Sequence, residues 1–295
     1  MNADLHCHSN VSDGTLSPED LAARAHLNGV DLLALTDHDE IGGQHRAHAA
    51  SAALGMAYLP GVEISVTFLH KTVHIVGLGF DPDDAALCHG LADTRAGRER
   101  RARDMGEDLA RVGIPGAFEG ALKYVGNPDL ISRTHFARYM VEIGVCTDPH
   151  EVFRRYLVEG KPGFVEHRWA SLSDAIRWIV GAGGVAVIAH PGRYGFTPNE
   201  EFALFSTFKG HGGQGVEVVT GSHTVSEYGK YADMAVEFDL LASRGSDFHD
   251  PTESHTDLGK LPNLPGHLTP VWDALASRVL HPSRRGRLVA YGPTF

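Results

Sequence analysis

Short apolar runs in this chain end, one after another, on side chains that bind metals. Residues 3–8 (ADLHCH) read as a strand closing on His6 and His8, and the run 30–35 is followed by Asp37 and His38. A third run, 57–64, closes on Glu63, the run 185–189 is followed by His190, and the run 240–243 by Asp247 and His249. In a barrel of parallel strands all C-terminal ends open onto one face, where the loops build the site, so ligands far apart in sequence converge there. His6 and His8 are two apart and share one face of a strand; Cys7 points the other way and is expected to pack rather than bind. The histidines and carboxylates so placed exceed one tetrahedral or octahedral shell. Two or three cations sharing bridging groups is the economical reading, and mixed imidazole and carboxylate suits Mn, Fe or Zn.

The segments between these runs support an α/β chain. Ser17-Pro18-Glu19-Asp20 predicts a helix with a serine N-cap and a proline in its first turn, ending near Asn28-Gly29. A second helix is expected at 42–54, and strand–helix–strand repetition at this spacing predicts parallel βαβ units. Residues 65–80 alternate as an antiparallel excursion. From 84 to 111 the chain is a long Arg-rich helical stretch, and 114–160 continues as short helical pieces punctuated by Gly and Pro. A helix at 171–182 and strands at 185–189, 215–219 and 240–243, with a helix at 224–237, resume the barrel pattern. The expected organisation is therefore a barrel from 1–83 and 169–295, capped by a mainly helical insertion, 84–168.

Composition narrows the function. With 42% hydrophobic and 21% charged residues among 295, the chain reads as soluble and globular. No apolar stretch approaches a membrane span, and Met1-Asn2-Ala3-Asp4 does not open a signal peptide. Three scattered cysteines form neither a disulfide framework nor a CxxC pair, so a cytoplasmic location is expected. The net charge of −11 argues against a duplex nucleic-acid coat. Residues 95–168 nonetheless hold thirteen Lys/Arg against eleven Asp/Glu, a net of +2, which leaves −13 for the remainder.

The motifs DLHCHS (4–9), SDG (12–14), LTDHD (35–39), GVEIS (61–65), HIVG (74–77), AHPG (189–192) and GSDFH (245–249) resemble, in order and over nearly the whole chain, the polymerase-and-histidinol-phosphatase (PHP) superfamily. The resemblance implies a distorted (β/α)7 barrel with a trinuclear metal centre. Carried over position by position, the ligands are His6, His8, Asp13, His38, Glu63, His74, His190, Asp247 and His249, with Asp4 and Asp37 orienting imidazoles. Asp13 stands where many members have histidine, which makes one site richer in oxygen and favours Mn²⁺, with Fe and Zn as alternatives. Within the superfamily the insertion, through SRTHFA (132–137) and GKP (160–162), is similar to the 3′,5′-nucleoside bisphosphate phosphatases and the enzymes that trim short RNA from its 5′ end.

That likeness implies a small nucleotide substrate, with short oligonucleotides as a further one. Phosphate esters hydrolyse extremely slowly unaided; cations would acidify a water and hold the non-bridging oxygens. Asp247 or His249 would move the water's proton and His190 would protonate the leaving oxygen. Ser132, Arg133, His135 and Lys161 would bind the substrate, Arg133 and Lys161 at its second phosphate. Tyr124, Phe136, Tyr156 and Trp169 are candidates for stacking a base, against core packing. Two other readings compete: a phosphatase for a small ester such as histidinol phosphate, and a non-catalytic metal-stabilised module. A complete ligand set speaks against the second, and a cationic insertion against the first.

Overall fold

A computed structural model describes residues 1–167 and 169–282. The chain opens with β1 (Ala3–Asp4), α1 (Pro18–Leu27), β2 (Leu32–Leu33), α2 (Gln44–Ala53) and β3 (Ala57–Tyr58), the strands pairing in parallel in that order. Ser17 caps α1, its side chain accepting from the Asp20 amide at 3.1 Å, as the sequence predicts.

The expected strand at 57–64 is broken. Pro60 has no N–H to give to a ladder and separates β3 from β4 (Gly61–Phe68). β4 turns to pair antiparallel with β5 (Lys71–Leu78) along its whole length, Gly61 opposite Leu78. The antiparallel excursion thus begins at residue 61, and Glu63 lies near the start of its strand rather than at the end.

The expected Arg-rich helix at 84–111 is two helices, α3 (Ala85–Arg95) and α4 (Arg98–Arg111), separated at Ala96-Gly97. Short pieces follow as expected: α5 (Ala117–Leu122), α6 (Arg133–Glu142) and α7 (Pro149–Val152). The remaining elements are β6 (Ala170–Ser171), α8 (Leu172–Gly181), β7 (Val185–Ile188), α9 (Pro198–Gly210), β8 (Gly215–Thr220), α10 (Val225–Glu237), β9 (Leu241–Gly245) and α11 (Val271–Ala274). Among the described residues no helix is long and apolar enough to cross a membrane.

The second sheet has the order β6-β4-β5-β7-β8-β9. Backbone hydrogen bonds join the two sheets at both margins. Leu5 donates to Arg244, His8 to Phe248 and Asp247 to His6, linking β1 to β9; Asp39 donates to Glu63 and Glu63 to Asp37, linking the segment after β2 to β4. The strands therefore circle as β1, β2, β3 with β4, β5, β7, β8 and β9, the distorted (β/α)7 barrel, with β5 reversed against both neighbours.

Apolar side chains fill the ring, among them Leu5, Leu32, Ala34, Val76 and Val187. Outside it, Leu87 and Leu91 of α3 pack with Ile176 and Ile179 of α8. Residues between 102 and 157, including Met105, Leu109, Phe136 and Leu157, form a core of their own.

Close packing at one strand crossing fixes the site. A Cβ added at Gly245 would stand 2.3 Å from the Cβ of His6 and 2.6 Å from its amide nitrogen. Gly245→Ala should force β9 away from the His6 segment and cost about 1–3 kcal/mol of stability, with loss of bound metal. Chemical denaturation and elemental analysis test this; a variant unchanged in both would show that the crossing has slack.

Candidate metal centre

The structure brings all nine candidate ligands to one end of the ring. His6 and His8 follow β1, while Cys7 between them faces a packed cluster with Leu21, Leu33 and Phe248, as the alternation predicts. His6 Nε2, His8 Nε2, Glu63 Oε2 and Asp247 Oδ1 stand close together. The two nitrogens are 3.2 Å apart, each lies 3.3 Å from the Glu63 oxygen, and they are 3.5 and 3.4 Å from Asp247. Ligand bonds of about 2.0–2.2 Å in a tetrahedron place neighbouring ligand atoms about 3.3–3.6 Å apart, so His6 Nε2, His8 Nε2 and Glu63 Oε2 have the spacing of neighbouring corners, while His6 also groups with His190 and Asp247.

Glu63 is the hub. Its Oε2 also faces His38 Nδ1 at 2.9 Å, and its Oε1 faces His74 Nδ1 and His190 Nε2, each at 2.9 Å. His74 is in mid-strand, not at a strand end; it reaches the cluster because β5 lays it against Ser65, on the same face of β4 as Glu63. A third grouping joins His8, Asp13, His38 and His249, with Asp13 Oδ1 3.4 Å from His249 Nε2.

Hydrogen bonding tests whether a cation fits. His8 Nδ1, His38 Nδ1, His74 Nδ1, Asp13 Oδ1 and Glu63 Oε2 are buried yet make no hydrogen bond among the described residues, although their neighbours are near. Buried polar atoms are ordinarily paired, and lone pairs aimed at a shared centre rather than at donors are what a metal requires. Burial opposes ionisation of Glu63, but His74, His38 and His6 outweigh it and hold the carboxyl well below the usual range. The backbone carries strain here as well. His190 and Asp247 adopt φ of 25° and 56°, left-handed conformations that cost L-residues about 1–3 kcal/mol and cluster at functional sites.

The groups behind the ligands differ from those expected. Asp4 accepts from the amides of Ser246 and Gly259, both at 2.8 Å, and Asp37 from Ser9 N, Ser9 Oγ and Ser12 Oγ at 2.6–2.8 Å. Neither makes a hydrogen bond to an imidazole. Both carboxylates are engaged by loop amides and hydroxyls, and they hold the turns that carry Asp247 and Asp13. Glu217, on β8, does the orienting instead. Its Oε1 accepts from His6 Nδ1 at 2.8 Å, turning Nε2 toward the cluster, and its Oε2 accepts from the His190 amide at 2.7 Å. A glutamate inside the apolar run GVEVVT was the sequence signal for it.

A cleft of about 640 Å³ opens over the cluster, walled by Arg98, Arg101, Arg133 and Arg193. Arg98 pairs with Asp39, and Arg193 Nη1 donates to Asp247 Oδ2 at 2.6 Å. Arg101 and Arg133 have no carboxylate partner among the described residues and donate only to the carbonyls of Val165 and Leu157. Burial, with Arg133 and Arg98 alongside, pulls Arg101 down to about 9; burial, with Arg193 and Arg98, pulls Arg133 down to about 10.

Of the other expected substrate contacts, Ser132 lines the cleft but directs its hydroxyl to Asp13. His135 is buried, its Nδ1 accepting from the Ser132 amide at 2.9 Å. Lys161 is exposed and lines neither this cleft nor its neighbour. Trp169 lines the cleft, with Arg98 4.7 Å from its ring centre; Phe136 lies in the insertion's core, and Tyr156 packs against it. A larger groove adjoins the cleft, shares Thr134, Phe153, Arg193, Asp247 and His249 with it, and runs out past Tyr124.

A ring of imidazoles and carboxylates under an arginine wall is the equipment of a metal-dependent phosphoester hydrolase. Comparison with known proteins agrees. The PHP domain matches residues 4–111. A 3′,5′-nucleoside bisphosphate phosphatase from Chromobacterium violaceum is 51% identical over 282 residues, covering 96% of this chain and 99% of its own. A 5′-3′ exoribonuclease from Haemophilus influenzae is 43% identical over 270 residues, covering 92% and 97%. The solved structure of an amidohydrolase from C. violaceum superposes with a TM-score of 0.94 at 50% identity, over 96% of this chain and 99% of that one. The chain belongs to the PHP family of phosphoesterases.

Proposed function

We propose that this protein hydrolyses the 3′-phosphate of nucleoside 3′,5′-bisphosphates, releasing phosphate and a nucleoside 5′-monophosphate. The observation that carries the reading is the pairing of two charge systems in one cleft. Converging ligands on its floor suit the phosphate that reacts, and Arg101 and Arg133, which have no carboxylate partner among the described residues, suit a phosphate that does not. His6, His8, Asp13, His38, Glu63, His74, His190, Asp247 and His249 would hold two to three divalent cations. A neutral imidazole has one lone pair, so His8 and His38 each serve one group at a time; the carboxylate of Asp13, standing where many members have histidine, adds an oxygen ligand beside three imidazoles and favours Mn²⁺, with Fe or Zn as alternatives. When bound, such cations supply Lewis acidity to water and charge to oppose that developing on the phosphoryl oxygens.

The protein's own groups do the positioning. His249 Nδ1 donates to the Asp247 carbonyl at 2.9 Å, which turns Nε2 into the site. Asp247 and His249 line the cleft where the proton of an attacking water must go. Burial and Arg193 pull His190 down to about 4, so it is unprotonated at neutral pH and suits a ligand better than a proton donor. A cytoplasmic location goes with this reading, in keeping with the free thiols of Cys7, Cys88 and Cys146.

The adjoining groove supports a second activity, 5′-3′ trimming of short oligonucleotides. The groove continues from the cleft past Thr134, Phe153 and Arg193 and would give the departing nucleotides room. The test is phosphate release with Mn²⁺ on a 3′,5′-bisphosphate, a 5′-monophosphate and histidinol phosphate in parallel. Preference for the bisphosphate by an order of magnitude or more in kcat/KM is expected. Equal rates on all three would leave a general phosphatase, and no release a non-catalytic module.

A further inference from the structure

Arg133 is flanked in sequence by two hydroxyls that grip a carboxylate of the ligand cluster. Ser132 Oγ and Thr134 Oγ1 both donate to Asp13 Oδ2, at 3.2 and 3.1 Å. His135 Nδ1 is already filled by the Ser132 amide, which leaves the Ser132 hydroxyl proton for Asp13. One turn further along α6, Arg138 Nη1 donates to the Asp13 carbonyl at 2.8 Å while its other nitrogens hold Glu253. The start of α6 is thus clamped to the turn that carries Asp13.

The two oxygens of Asp13 have different duties. Oδ2 takes the two hydroxyls and lies 3.9 Å from His38 Nε2; Oδ1 is buried, makes no hydrogen bond among the described residues, and faces His249 Nε2 at 3.4 Å and His8 Nδ1 at 3.9 Å.

We propose that Ser132 and Thr134 are positioning residues that aim Asp13 Oδ1 at the cation site it shares with His8, His38 and His249, and that through them occupancy of this site sets the pose of Arg133. The proposal rests on the metal-centre reading above. A carboxylate fixed by a cation on one oxygen presents the other in a fixed place, and the backbone holding both hydroxyls also holds the Arg133 Cα between them. Hydrogen bonds behind a metal ligand are worth roughly 10- to 100-fold in affinity. Coupling of this kind is reciprocal, so a phosphate at Arg133 tightens the cation as much as the cation tightens the phosphate.

The test titrates Mn²⁺ into metal-stripped protein, following free Mn²⁺ by electron paramagnetic resonance. Wild type is compared with the Ser132→Ala/Thr134→Val double variant and with Ser132→Thr/Thr134→Ser, which keeps both hydroxyls. One class of Mn²⁺ sites should weaken roughly 10- to 100-fold in the first variant and recover in the second, the other sites keeping their affinity. KM for a 3′,5′-bisphosphate should rise in the first variant with Arg133 intact. Unchanged affinities would overturn the coupling while leaving the metal centre standing, as would uniform weakening of every class. Absence of Mn²⁺ binding by wild type would remove the metal-centre reading and the coupling with it. Circular dichroism of both variants separates these outcomes from misfolding, and a double variant that unfolds while the hydroxyl-keeping one folds is replaced by the two single changes.

Discussion

Glu63→Gln is expected to lower turnover by on the order of 10³-fold or more, the scale set by removing charge stabilisation from a metal-assisted transition state. Five imidazoles stand within 2.9–3.3 Å of the two carboxylate oxygens, and the side chain is fully buried. Glutamine keeps the shape but replaces one acceptor with an NH₂ that only donates. An oxygen facing His74 and His190, or one facing His6, His8 and His38, is lost whichever way the amide turns. Metal content should fall together with activity. Initial rates and elemental analysis on the same sample check this; activity within tenfold of wild type with full metal content would remove Glu63 from the centre.

Arg133→Ala should lower kcat/KM for a 3′,5′-bisphosphate by roughly ten- to a hundredfold, the worth of a charge-assisted contact of about 1.5–3 kcal/mol. Hydrolysis of a simple nucleoside 3′-monophosphate should barely change, because it has no second phosphate to lose. The structure sharpens the expectation: among the described residues Arg133 lacks a carboxylate partner, and it sits near Arg98 and Arg193, whose repulsion an anion would relieve. Loss of Arg133 from this crowd should not itself unfold the protein. Equal losses on both substrates would place the residue at the reacting phosphate or in the fold, and no loss on either would leave the second phosphate to Arg101.

Much of this was readable before any coordinates. Ligands at strand ends converge because a parallel barrel has one open face, so periodicity and residue type located His6, His8, His38, His190, Asp247 and His249 together. Helix α1 announced itself by Ser17-Pro18. The misses have physical causes. Pro60, with no N–H to give to a ladder, divides what reads as one strand into two. Helix α9 also carried its signal, Thr197-Pro198 with Glu200 three residues after the cap, closing a reciprocal hydrogen-bonded pair. Arg98 and Arg101 were illegible for a different reason: in an Arg-rich helix nothing local tells which guanidiniums turn inward, since that depends on what packs above. Asp4 and Asp37 were given the wrong partners because a carboxylate beside a histidine in sequence need not face it in space.

The separate core of residues 102–157 bears on how such enzymes diversify. A lid that packs on itself and meets the barrel through polar clasps can accumulate changes without disturbing the strands that hold the reacting groups. On the proposed reading, selection for a new leaving group or a longer chain would work on side chains such as Arg101 and Phe153, with the hydrolytic apparatus inherited unaltered. A chimera that places the 98–165 segment of an oligonucleotide-trimming relative on this barrel would carry the relative's preference with it.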